Sequence, residues 1–88
     1  MKLYVGNLIH TMTESQLGDL FSLYGQVERA LIITDHFTRQ SKCFGYVKMF
    51  SIIDAERAVR RLHGKTVATR KLVVKHARPR DERLGNGW

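Results

Sequence analysis

The order of predicted elements, β-α-β-β-α-β, places this chain in the α+β class. It reads as a ferredoxin-like sandwich with a four-stranded antiparallel sheet and two helices on one face. Three observations predict this. Short β-branched and aromatic runs alternate with two stretches whose apolar residues recur at helical spacing. Each helical stretch opens on a Thr or Ser and closes on a Gly. Finally, 88 residues leave room for one domain, expected over 1–77, with 78–88 as a short, basic, flexible tail.

The elements follow in order. Residues 2–8 are β-branched and aromatic and stop at Gly6-Asn7, a short strand and a turn. Thr13 and Gln16 fit a capping box, Leu17, Leu20, Phe21 and Tyr24 make an apolar stripe, and Gly25 supplies the stop. Residues 27–34 read as the second strand, in which either Leu31 and Ile33 or Ala30 and Ile32 point away from the helices. The polar segment 35–41 is a loop. Residues 42–50 form the third strand, and a second helix follows from Ser51, turning Ala55, Ala58, Val59 and Leu62 inward before Gly64. Residues 65–70 are a connector with room for a small extra strand, and 72–77 form the fourth strand.

Fifteen Lys and Arg against eight Asp and Glu give a net charge of +7, which points to a polyanionic partner. The excess is lopsided: residues 1–40 carry three basic and four acidic groups, and residues 41–88 carry twelve and four. With 43% hydrophobic residues and one proline, the chain is too apolar for intrinsic disorder. Its single cysteine, Cys43, and four scattered histidines offer neither an internal disulfide nor paired metal-ligand spacing. No apolar run reaches signal-peptide or membrane length. The expectation is a soluble, cytoplasmic monomer without cofactor or metal.

Strand alternation sorts the third strand into Cys43, Gly45, Val47 and Met49 on the core side and Lys42, Phe44, Tyr46 and Lys48 on the helix-free side. In the first strand Leu3 and Val5 turn inward and Tyr4 outward, and Lys75 in the fourth strand shares the open face with Lys48 and Val73. Two aromatic rings alternating with two ammonium groups make a poor core but suit a base-stacking platform flanked by phosphate contacts.

These residues also carry a family resemblance. Leu3-Tyr4-Val5-Gly6-Asn7-Leu8 is similar to the six-residue ribonucleoprotein motif of the RNA recognition motif family. Lys42-Cys43-Phe44-Gly45-Tyr46-Val47-Lys48-Met49 resembles its eight-residue partner motif. The two motifs stand 33 residues apart with a helix and a strand between them, and the resemblance covers about residues 2–77. The small size and short tail resemble the stand-alone RNA-binding proteins of bacteria. The resemblance implies that Tyr4 and Phe44 each stack on a base, that Tyr46 packs against a sugar or between nucleotides, and that Lys42 contacts a phosphate. Asn7, at the strand exit, either hydrogen-bonds a base edge or is a turn residue.

Three positions depart from the family pattern. Cys43 stands for Gly and Met49 for an aromatic, both expected to adjust the core, and Arg39 stands in the loop where Gly is frequent. In the tail, Arg78 and Arg80 are expected to extend the binding track, and Trp88 reads as a free terminal ring. Arg57, Arg60 and Arg61 read as a solvated helix face, with Glu56 and Arg60 spaced as an i,i+4 pair.

The implied partner is single-stranded RNA, with single-stranded DNA a second candidate and a post-transcriptional role the natural setting. Preference for RNA rests on the resemblance alone, since rings and lysines do not detect a 2′-hydroxyl. No nucleophile–base set, paired carboxylates or phosphate-cradling glycine loop stands out, so no enzymatic activity is expected. An adaptor that binds a peptide with the same fold would be favoured by missing face aromatics, and this chain retains three. A small acyl-phosphate hydrolase would need an anion-binding loop with a positioned arginine, which Gly6-Asn7-Leu8-Ile9-His10 does not supply.

Overall fold

A computed structural model of the protein describes residues 2–77. Its elements are β1 (Lys2–Gly6), α1 (Glu14–Ser22), β2 (Val27–Thr34), β3 (Ser41–Met49), α2 (Ile52–Leu62), β4 (Thr66–Val67), β5 (Arg70–Lys71) and β6 (Val73–His76). The main sheet runs β2-β3-β1-β6 with every pair antiparallel. The two motif-bearing strands, β1 and β3, therefore lie side by side at its centre. The ferredoxin-like sandwich expected from the sequence is the fold observed.

Both helix starts form as their sequences dictate. Thr13 Oγ1 accepts from the Gln16 N–H (3.1 Å) and Gln16 Oε1 from the Thr13 N–H (3.0 Å), closing a full capping box on α1. Ser51 Oγ accepts from the Asp54 N–H (3.3 Å) at the start of α2. Leu17 and Phe21 from α1 and Ala55, Ala58 and Leu62 from α2 pack with Leu3, Val5, Ile32, Val47, Met49 and Val74 of the sheet. Ile32 lies in this core and Ala30 packs against it, so Leu31 and Ile33 are the pair left for the other face. β2 is an edge strand. Its Ile32 N–H donates to the Glu14 carboxylate at 2.9 Å, which satisfies an edge group that would otherwise invite another strand.

The extra strand in the connector is a complete hairpin, β4 paired with β5. Ala68 and Thr69 between them both have positive φ (51° and 70°), as a tight two-residue hairpin turn requires. Neither is the Gly or Asn that normally marks such a turn, so this hairpin was hidden in the sequence.

One expectation about the core is corrected. Cys43 does not join Val47 and Met49 inside: it has φ +65° and is half-buried outside the core cluster. It lies where the pairing of β2 with β3 slips between Ile32 and Thr34. A bulge interrupts strict alternation, and the left-handed conformation explains why glycine suits this position. Met49, by contrast, is fully buried as expected.

Candidate nucleic-acid interface

On the helix-free face the strand register aligns Lys75, Tyr4, Tyr46 and Leu31 in one row across β6, β1, β3 and β2. A second row aligns Lys2, Lys48 and Arg29. An aromatic and aliphatic band is thus bordered by a line of cations, an arrangement dictated by side-chain alternation in β1 and β3.

Three rings form the centre. Tyr4 and Phe44 lie 5.8 Å apart, centroid to centroid, with 29° between their planes. Tyr46 meets Tyr4 at 5.9 Å and Phe44 at 6.3 Å, edge-on to both (69° and 87°). Such geometries match the preferences of the ring quadrupole and fix each ring's tilt through the others. Gly6 completes the arrangement: a Cβ there would sit 2.7 Å from the Tyr4 hydroxyl oxygen, so the missing side chain leaves the space over which Tyr4 extends.

Tyr46 shares the face but is only 3% exposed. Lys2 reaches over it, Nζ 4.6 Å from the ring centroid, a cation–π contact of the kind that also covers apolar surface with the lysine stem. Tyr4 and Phe44, each half-exposed, are the rings offered to a ligand. Tyr46 supports them from the side.

Lys2 was not singled out as a site residue, although its position two residues before Tyr4 was the signal that it shares the open face. Lys75 holds its ammonium 5.2 Å from the Tyr4 centroid, and Lys48 forms a long ion pair with Glu28 (3.9 Å). An exposed pair of this kind is weak.

Lys42 is exposed and lies just before the Cys43 bulge, so its direction does not follow from that of Phe44. Its charge falls instead on the β2–β3 loop. The Asp35 carboxyl is held below its ordinary range first by the backbone N–H groups of Thr38 and Phe37 and, more weakly, by Lys42. Asp35 Oδ1 accepts from Phe37 N (2.8 Å) and Thr38 N (2.9 Å), and the Arg39 N–H returns to the Asp35 carbonyl (2.9 Å). Arg39 itself has φ +64°, the backbone reason why glycine is natural there.

Asn7, with φ +58°, is engaged within the chain. Its Nδ2 donates to the Lys71 carbonyl (2.7 Å) and its Oδ1 accepts from Arg70 Nη2 (2.6 Å). Of its two expected roles, the structure displays the turn, tying the exit of β1 to β5. Arg78 and Arg80, together with Trp88, lie outside the described residues. Among the described residues no group of three metal-ligating side chains occurs, and no helix is long and apolar enough to cross a membrane.

An α+β sandwich whose open face presents aromatic rings bordered by cations is an arrangement suited to nucleic-acid binding. Residues 3–73 match the RNA recognition motif, and the chain belongs to that family of RNA-binding domains. RbpE of Nostoc sp. strain PCC 7120 is 40% identical over 94% of this chain and 84% of its own length. Among solved structures, that of RNA-binding protein PG1 is 43% identical and superposes with a TM-score of 0.86, covering 90% of this chain and 98% of PG1. The Sex-lethal protein in its complex with RNA is 35% identical with a TM-score of 0.85, covering 89% of this chain and 47% of that one.

Proposed function

We propose that the protein binds single-stranded RNA by stacking one base on Tyr4 and a second on Phe44, without chemical conversion of the RNA. The observation that carries this reading is the near-parallel, half-exposed pair of rings braced by Tyr46 and bordered by cations. Double-stranded nucleic acid does not offer unstacked base faces, whereas a single strand does. Lys48 and Lys75 border the rings and Lys42 lies toward the loop, so a strand crossing the sheet passes several cations. Arg78 and Arg80 extend this track in the same reading, from a tail 78–88 that follows the folded unit 1–77.

Family membership and the RNA complex of the similar Sex-lethal domain support RNA over DNA. The reading places the protein in the cytoplasm as a monomer acting on RNA after transcription. Its test is a fluorescence-anisotropy titration of labelled single-stranded RNA. Each base stack contributes about 1–3 kcal/mol, so Phe44→Ala is expected to weaken binding roughly ten- to hundred-fold. Log affinity should fall with log salt at about 0.7 per phosphate contacted. Unchanged affinity in Phe44→Ala, or a flat salt response, would overturn the stacking platform. Equal affinity for DNA of the same sequence would overturn the RNA preference alone.

A further inference from the structure

Exposed apolar side chains also lie away from the rings, around the turn after α1 and the start of α2. Leu23, Phe50, Ile52 and Ile53 are 58 to 74% exposed, and they are four of the six exposed large hydrophobics among the described residues. The turn after Leu23 packs against the segment that carries the other three. The Phe50 N–H donates to the Gln26 carbonyl (3.3 Å), and the turn after Leu23 passes so close to α2 that a Cβ on Gly25 would overlap Asp54.

The fold gives these side chains no task. Ile52 and Ile53 are the first two residues of α2, where the helix dipole favours acidic side chains and β-branched residues have no propensity advantage. Acidic residues there would help the helix and remove an aggregation hazard. A clustered apolar patch kept in such a place marks an interaction surface rather than scattered exposure.

The patch continues into charge. Helical spacing runs Ile52, Glu56, Arg60 and Ile53, Arg57, Arg61 along two adjacent stripes of α2, and all six side chains are exposed. Asp54 compensates Arg57 at 3.8 Å, while Arg60 and Arg61 occupy the last turn. The surface is therefore apolar at one end and basic at the other.

The geometry points to this end of the molecule as a docking surface for an acidic protein segment carrying apolar anchors, used while RNA occupies the sheet. Charge complementarity selects the occupant. A second copy of this chain, at net +7, is repelled by the arginines, and RNA has phosphates for them but no aliphatic groups for the isoleucines. An acidic segment with leucine or phenylalanine side chains satisfies both ends.

The probe is a short synthetic peptide of Asp, Glu, Leu and Phe, titrated into the isotopically labelled full chain while amide shifts are followed. Two counterparts accompany it, one with Asp and Glu replaced by Asn and Gln, one with Leu and Phe replaced by Ala. Shifts are expected at Leu23, Phe50–Ile53 and Arg57–Arg61 with the first peptide, and affinity should fall about tenfold or more with either counterpart, as expected for losing one buried large apolar side chain or the charge match. Ile53→Glu, which suits the helix start, should lose peptide binding with an unchanged melting temperature and unchanged RNA affinity. Equal binding of all three peptides, shifts confined to the sheet face, no binding, or full retention in Ile53→Glu would each overturn the proposal. Displacement of the peptide by oligonucleotide in the Phe44→Ala background would show a second nucleic-acid surface instead. Because peptide and RNA are read separately, failure of either assignment leaves the other standing.

Discussion

The two faces of the central sheet are built from the same strands, yet they bury apolar groups in different ways. Beneath it, Leu3, Val5, Val47 and Met49 are fully enclosed by helices and interdigitate with Phe21 and Leu17. Above it, Tyr4, Phe44 and Tyr46 have no helix and shelter one another, with lysine ammonium groups over two of the rings. Packing below excludes every ligand. Packing above leaves two rings half-open while fixing their tilt, which, on the proposed reading, lowers the ordering cost of stacking a base.

That contrast is most directly broken by comparing one residue type on both faces. Phe21→Ala removes a fully buried ring and should cost about 3–5 kcal/mol in urea unfolding. Phe44→Ala removes a half-exposed ring and should cost only a small fraction of that while RNA affinity collapses. If the two variants lost similar stability, the open face would be a second core. Gly45→Ala should rank next, because its Cβ would overlap the Leu31 carbonyl oxygen and press on Ile32 Cα at 3.1 Å. Backbone cannot yield as a side-chain tip does, so a loss of roughly 3 kcal/mol is expected in the same assay.

Tyr46 sharpens the comparison, since it lies on the upper face with the burial of the lower one. Tyr46→Leu keeps apolar volume but removes the edge that braces Tyr4 and Phe44. Aromatic pairs contribute about 0.5–1.5 kcal/mol, so RNA affinity should drop a few-fold, well short of the Phe44→Ala loss. A drop as large as that of Phe44→Ala would mean that Tyr46 stacks a base itself.

The topology and the two open rings were legible because they rest on local rules: the capping box at Thr13, the apolar stripe of α1, and alternation in β1 and β3. Failures came where neighbours decide. Alternation assigns Tyr46 a face but not an exposure, which depends on Lys2, Tyr4 and Phe44 converging on it. The connector was legible as holding an extra strand, but not as the β4–β5 hairpin, because Ala68 and Thr69 adopt positive φ without the residues that advertise it. Cys43 was misplaced since a bulge is a property of strand pairing, invisible in β3 alone.

Cys43→Gly tests that last point. An L-residue at φ +65° carries about 1–2 kcal/mol of left-handed strain, offset by the greater unfolded-state entropy of glycine. The net gain should be about 0.5–1 kcal/mol, seen as a raised urea midpoint. A loss of stability would mean that the side chain packs better than its half-burial indicates.

The smallest effect belongs to the β2–β3 loop, which differs from both faces in resting on one carboxylate rather than on packing. Asp35 is held ionised first by the Thr38 and Phe37 N–H groups, so its folded-state value lies below its unfolded one. The loop's stabilisation is therefore complete above the ordinary carboxylate range and is lost as pH falls through the folded value. Amide exchange at Phe37 and Thr38, corrected for intrinsic rates, should stay constant from neutral to mildly acidic pH and loosen only below the usual range for Asp. Asp35→Asn retains an acceptor oxygen without the charge and should abolish that acid-dependent step while leaving the rings and their RNA affinity near wild type. Loosening of Phe37 and Thr38 already at mildly acidic pH would show that the Asp35 carboxylate does not control the loop.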